Sequence, residues 1–295
     1  MNHSLPTEGS NDHASTPSAT QPGRGGDSTS AASAIDRLKL LSYNIQAATT
    51  TRRYHEYVTH SWRQVLPHVG RMDNLDAIAE CLREYDMVGL QEADAGSLRS
   101  GFLNQTGYLA LHAGFSYWHH QSNRRVGRFA HVGNSVLSRF VPDAIEEHRL
   151  PGAIPGRGVL LTRFPLEQGF LVLAVAHLAL GRRAREQQLN FIYELLCDEP
   201  NVILMGDFNA SPQSPEIQRF IEQSAYVGDG AEQASFPSWR PRRAIDYIMV
   251  SPSLKLHQIQ PLPLLFSDHL PIAAEVGLPS PLREFAVPVP AHSGV

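Results

Sequence analysis

The chain has 295 residues, 42% of them hydrophobic, and a net charge of −4, enough to bury a full core as one large domain or two small ones. Four acids against Arg24 give residues 1–36 a charge of −3, so the remainder carries −1 and lacks the strongly basic stripe that tight duplex binding needs. Cys81 and Cys197 fall in helix-like segments far apart and read as two buried free thiols. The most apolar run, residues 170–180, is too short to span a bilayer and is interrupted by His177. The polar amino terminus has no secretory hydrophobic core. The expectation is a soluble, cytoplasmic, monomeric protein.

Residues 1–36 are rich in Ser, Thr, Gly, Ala and Pro and read as a disordered leader; residues 279–295 read as a flexible Pro-rich tail, leaving one ordered domain over 37–278. Order is expected from Leu38, in a strand running to Ile45 with Asn44 near its carboxyl end. The segment 46–71 holds three histidines in no metal-ligand spacing and reads as a solvated or substrate-facing loop. Asp73-Asn74 should open a helix with Leu75, Ile78, Ala79 and Leu82 on its apolar face. The next strand, 87–91, delivers Glu92 at its end. A strand at 115–120 leads into a basic loop with Arg124, Arg125 and Arg128, and the strand 133–138 opens with Asn134. Strands around 158–162 and 170–178 follow, the second ending at His177. Residues 182–196 form an amphipathic helix with Leu189, Ile192, Tyr193 and Leu196 on one side.

Residues 201–204 then read as a buried strand, stopped at Gly206, with Asp207 and Asn209 projecting beyond it and a helix starting at Pro215-Glu216. An acid and an amide two residues apart on extended backbone face the same way, and ligands of open α/β sheets collect outside strand carboxyl ends. As a lone feature it is an ordinary polar turn. A strand at 244–250 carries Asp246, and Ser267-Asp268-His269 leads into a last strand, 270–276.

Any one of Asn44, Glu92, His177, Asp207, Asn209, Asp246, Asp268 and His269 has a structural explanation as a cap or a satisfied core residue. Ionised groups beside apolar strands are costly unless paired or metal-bound, so their recurrence at strand ends points to one convergent site. Oxygen donors without cysteine suit a hard cation, Mg²⁺ or Mn²⁺. Two histidines add acid, base or phosphate-binding functions. Arginine clusters at 124–128, 182–185 and 240–243 favour an anionic phosphate ester, with Asn134, Arg128 and Arg182 as candidate substrate contacts.

The motifs Ser42-Tyr-Asn-Ile, Gln91-Glu92, Gly133-Asn-Ser-Val-Leu-Ser138, His177-Leu178, Gly206-Asp-Phe-Asn209, Ile245-Asp-Tyr-Ile248 and Ser267-Asp-His269, in this order, resemble the endonuclease/exonuclease/phosphatase superfamily. The resemblance implies a four-layer α/β sandwich, two packed mixed β-sheets flanked by helices, with the site at their common edge. It implies that Glu92 binds the metal, helped by Asn44 and Asp268. Asp207 would orient or deprotonate the attacking water and Asn209 hold the phosphate. His269, positioned by Asp246, would contact the scissile phosphate, and His177 would bond another phosphate oxygen or assist proton transfer. His177-Leu178 is similar to the branch of deoxyribonuclease I-like nucleases, sphingomyelinases, inositol phosphatases and deadenylases. The substrate stays open between nucleic acid, a phospholipid headgroup and an inositol phosphate, by diester or monoester hydrolysis. A binding module that has lost catalysis is the rival from another class.

Overall fold

The computed structural model describes residues 35–48, 70–126, 130–228 and 234–283. β1 (Ile35–Asn44), β2 (Met87–Asp94), β3 (Tyr117–Val126) and β4 (Ala130–Ser138) join β10 (Lys255–Pro261) and β11 (Ile272–Leu282) in a six-stranded sheet of order β10-β11-β1-β2-β4-β3. β5 (Ala144–Arg149), β6 (Gly158–Pro165), β7 (Phe170–His177), β8 (Val202–Asp207) and β9 (Asp246–Val250) form a five-stranded sheet in chain order. α1 (Gly70–Leu82) and α2 (Gln105–Ala113) cover the first sheet, α3 (Arg182–Leu196) and α4 (Pro215–Ser224) the second.

The period-two alternation of the strands creates the layers. In β1, Leu38 and Leu40 enter the core between the sheets, where Leu160, Val175, Met205 and Ile248 meet them from the other side. Leu41 and Tyr43 face the opposite way, onto Leu75, Ile78 and Leu82 of α1 and Leu109 of α2. In β8, Ile203 and Met205 belong to the inter-sheet core, whereas Val202 and Leu204 pack with Leu189, Ile192 and Leu196 of α3 and Ile217 and Phe220 of α4. The result is the four-layer α/β sandwich. Each sheet contains one parallel pair, β1–β2 and β7–β8; α1 lies in the first connection and α3 in the second, as parallel neighbours require a crossover.

Several boundaries differ from the sequence expectation. β1 begins at Ile35 and β11 runs to Leu282, because Ile35 pairs with Leu282 and Leu282 is buried in the inter-sheet core. Strand structure therefore extends past the expected domain limits of 37 and 278. The last strand starts at Ile272, not Leu270, since Leu270 N–H is spent on Ser235 O. α1 opens at Gly70, ahead of Asp73. The sequence reading had no α2, β5 or β10; α2 buries Gln105 and Thr106, and β5 and β10 have mostly part-exposed or exposed side chains, so none shows a clean apolar period. Arg124 and Arg125 lie in β3 rather than in a loop. Both cysteines are free, but Cys197 is exposed and Cys81 half-buried, because Cys197 caps α3 at its outer end. Of the segment 46–71, residues 46–48 form a 3-10 turn and 70–71 open α1; residues 49–69, Arg128, residues 1–34 of the expected leader and residues 284–295 of the expected tail lie outside the described residues.

Candidate active site

Strand register assembles the site. Gly158 of β6 pairs with His177 of β7, His177 with Asp207 of β8, and Asp207 with Asp246 of β9. One row across the five-stranded sheet thus carries three candidate residues. Gly206 makes that row possible: its φ is +145°, and a Cβ there would stand 1.8 Å from Ala176 O, a contact only glycine avoids. In the other sheet, Asn44 pairs with Gln91 at the ends of the parallel strands β1 and β2. Glu92 follows with φ +56°, where the β2–β4 register shifts between Leu90 and Ala93. Such a bulge re-aims a side chain at a sheet rim, and left-handed backbone at a non-glycine residue is strain found preferentially at functional positions.

Asp207 is the hub. Its Oδ2 accepts Asn44 Nδ2 at 3.1 Å and lies 3.4 Å from His177 Nε2 and 3.8 Å from His269 Nε2. Its Oδ1 accepts Asn209 N–H at 2.9 Å. Asp246 Oδ2 sits 2.8 Å from His269 Nδ1 and also accepts the Ser235 hydroxyl. The Phe236 ring lies against the His269 ring, centroids 4.9 Å apart. The segment 235–243 is tied to the Ser267–Leu270 turn by Ser238 N–H on Asp268 O and Leu270 N–H on Ser235 O. Ser267 Oγ donates to Asn44 O at 2.7 Å, fastening the same turn to the end of β1.

The electrostatics separate the two imidazoles. Burial works against a charge on His269, but Asp246, Asp207 and Asp268 outweigh it and lift its pKa to about 10. Burial lowers His177 well below the ordinary value, with Arg157 and His269 adding to the effect. Burial also raises Asp207, against His269, Asn209 N–H and Asn44 and with help from Asp246, to about 7. The site therefore holds a charged imidazole, a neutral one and a carboxyl poised near neutrality, the separation that acid–base chemistry requires.

Two donor sets present themselves for a cation. Oxygen and nitrogen atoms of Asp207, Asp246 and His269 lie within 4.8 Å of one another. The 2.8 Å His269–Asp246 contact uses that imidazole and that carboxylate on each other, so this trio reads as a proton network. Asp268 is a different case. Burial lifts it to about 6, with Glu92 adding negative charge against the pull of His269 and Ser267. Among the described residues no side chain or N–H bonds to the Glu92 carboxylate. Two crowded carboxylates, with the Asn44 amide oxygen still holding a lone pair beside its bond from Gln46 N–H, make an all-oxygen set that fits a hard divalent ion.

The structure brings together Asn44, Glu92, His177, Asp207, Asn209, Asp246, Asp268 and His269, though the Asn209 amide is spent on Leu178 O at 3.0 Å. Asn134 is fully buried between the sheets, where its Nδ2 donates to Gly158 O at 2.8 Å and Val175 O at 3.2 Å, while its Oδ1 has no hydrogen-bond partner among the described residues. Arg182 is paired with Glu186 and Glu216 at the start of α3. Sequence reasoning missed Arg157, whose charge is felt by Asp207 and Glu92, and Ser235. Neither belongs to a cluster, and only their position next to site residues in space marks them.

A sandwich whose strand ends converge on carboxylates, two imidazoles and a guanidinium has the equipment of a phosphoester hydrolase. The family model described as "Endonuclease/Exonuclease/phosphatase family" matches residues 41–269, and the chain belongs to that family. No curated protein sequence matches it. Similar solved structures include an endonuclease/exonuclease/phosphatase from Beutenbergia cavernae DSM 12333, with 19% identity, TM-score 0.64, covering 82% of this chain and 72% of that one. A mannosyl-6-phosphatase of Bacteroides thetaiotaomicron VPI-5482 shares 18% identity at TM-score 0.60, covering 81% of this chain and 99% of that one. D. rerio TDP2 complexed with single strand DNA product shares 16% identity at TM-score 0.60, covering 82% and 99%.

Proposed function

We propose that the protein is a divalent-metal-dependent phosphodiesterase that directs water at phosphorus. The observation carrying this reading is the convergence of Asn44 Nδ2, His177 Nε2 and His269 Nε2 on one oxygen of Asp207 at 3.1, 3.4 and 3.8 Å. A carboxylate oriented by three such groups, with a pKa near 7, is matched to taking a proton from water at neutral pH. His269, held charged by Asp246, supplies positive charge and an N–H to the oxygens of a phosphorus centre gaining negative charge. Neutral His177 can donate or accept a single hydrogen bond beside it. Ser235 and Phe236 fix the Asp246–His269 pair. Glu92 and Asp268, with Asn44, would hold Mg²⁺ or Mn²⁺, which when bound would neutralise phosphate charge.

Hydrolysis of bis(p-nitrophenyl) phosphate with Mg²⁺ or Mn²⁺, with and without chelator, tests the reading. Turnover that needs the metal and falls by about 10³-fold in Asp207→Asn supports it; undiminished turnover in that variant removes Asp207 from the chemistry. A panel of plasmid DNA, RNA, sphingomyelin and phosphoinositides then orders the substrates, and failure on every ester points to a binding module.

A further inference from the structure

Arg157 immediately precedes Gly158, which is paired with His177 in the register row that continues to Asp207. Its backbone is pinned, since Leu150 N–H donates to Arg157 O at 3.0 Å. The side chain is half-buried, and among the described residues no acceptor is hydrogen-bonded or ion-paired to its guanidinium. A second arginine lies beside it. Gly156 has φ +106°, and a Cβ built there would stand 3.0 Å from Arg124 Cβ and 3.2 Å from Arg124 Cγ and Cδ, so the Arg124 stem crosses the chain one residue before Arg157. Arg124 is exposed, is likewise without an ion pair among the described residues, and its charge acts on Arg157.

Burial and the neighbouring Arg124 charge work against the Arg157 guanidinium, and the attraction of Asp207 and Glu92 offsets only part of this. The arrangement is stable chemistry when an anion sits on it, and a guanidinium fits phosphate oxygens bidentately. We propose that Arg157 and Arg124 form a second phosphate subsite beside the reacting centre, selecting substrates that carry a phosphate adjacent to the one cleaved. The inference rests on the phosphoester reading and deepens it. A choline-type headgroup would place a cation against two arginines and is disfavoured. Adjacent phosphates occur in a nucleic-acid strand and in inositol polyphosphates, which share this chemistry.

Calorimetric binding in chelator, without turnover, tests the subsite. Thymidine 3′,5′-bisphosphate is compared with thymidine 5′-monophosphate, inositol 4,5-bisphosphate with inositol 4-phosphate, and phosphocholine serves as the cationic probe. The bisphosphate of at least one pair should bind about tenfold tighter than its monophosphate, the size of one charge-assisted hydrogen bond, and phosphocholine weakest of all. Arg124→Ala and Arg124→Gln, at an exposed position, should bring that ratio close to one, and Arg157→Ala should do the same by weakening the bisphosphate more than the monophosphate. An advantage confined to the thymidine pair assigns the subsite to a nucleic-acid strand, one confined to the inositol pair to inositol phosphates, and one in both to the shared chemistry. Equal affinities in both pairs, an advantage that survives both Arg124 variants, or no binding at millimolar ligand would overturn the proposal. Because no metal or hydrolysis is involved, loss of the diesterase reading leaves this result standing on its own.

Discussion

On the five-stranded sheet, His177, Asp207 and Asp246 share a register row and their polar atoms are joined through His269, Ser235 and Asn209. On the six-stranded sheet, Asn44 and Glu92 stand at the ends of a parallel pair, and Glu92 projects from a bulge with no hydrogen-bond donor among the described residues. One half is a hydrogen-bonded proton network; in the other, Glu92 adds negative charge against buried Asp268 and raises the cost of its ionisation. The difference teaches how the site divides its work. Groups joined by hydrogen bonds hold geometry and protonation state, whereas acids without donors are the kind of group that favours a cation.

The division is testable from its strongest element downward. His269→Ala should lower kcat by about 10³-fold while metal affinity, measured by calorimetry, stays within a factor of a few; a parallel loss of metal affinity would merge the two halves. Glu92→Gln should do the opposite, weakening metal affinity by about 10- to 100-fold, the scale for losing a supporting group of a metal site, with turnover recovering as metal is raised. Ser235→Ala removes one bond to Asp246 and should reduce kcat by about tenfold with KM unchanged, while the truncation of a hydroxyl leaves the Phe236 ring in place. A larger change in Tm than in kcat would make Ser235 a structural residue alone.

The last effect lies away from both halves and leaves turnover untouched. His120 on β3 is half-buried against Ser135 and Thr106; burial, with the charge of His131, lowers its pKa from 6.5 to about 4. Between those values the unfolded chain binds the extra proton, so stability is complete above pH 6.5 and declines as pH falls toward 4. His120→Gln should flatten that part of the stability–pH curve, measured by denaturant unfolding, and an unaltered slope would contradict it. The pH dependence of turnover should be unaffected, which separates this histidine from His177 and His269.

Much of the site was legible because its residues sit at the ends of apolar strands. Asn44, Glu92, His177, Asp207 and Asp246 each follow, close or open a buried run, and polar groups there stand out against the pattern. α3 was predicted with the bounds it has, Arg182–Leu196, since its apolar period is regular. Gln105, Ser235 and Arg157 were not legible. Gln105 lies in a helix that buries amides, where Nε2 donates to Ala47 O and Oε1 accepts Asp94 N–H. Nothing local distinguishes it from a surface glutamine. Asn134 was misplaced for the converse reason: a polar residue in a strand of this kind can face a site or a neighbouring sheet, and here it ties β4 to Gly158 and Val175.

By itself the sequence determined the elements with a regular apolar period, among them β1, β2, β7, β8 and α3, and the set of acids and histidines at strand ends, because alternation and periodicity are properties of adjacent residues. The tertiary structure alone decided which of those groups touch. The row from His177 through Asp207 to Asp246, the charge on His269, and the nearness of Arg157 to Asp207 and Glu92 all depend on strand register and burial. Those bring residues tens to hundreds of positions apart to within a few ångströms, where Coulomb and desolvation terms become large.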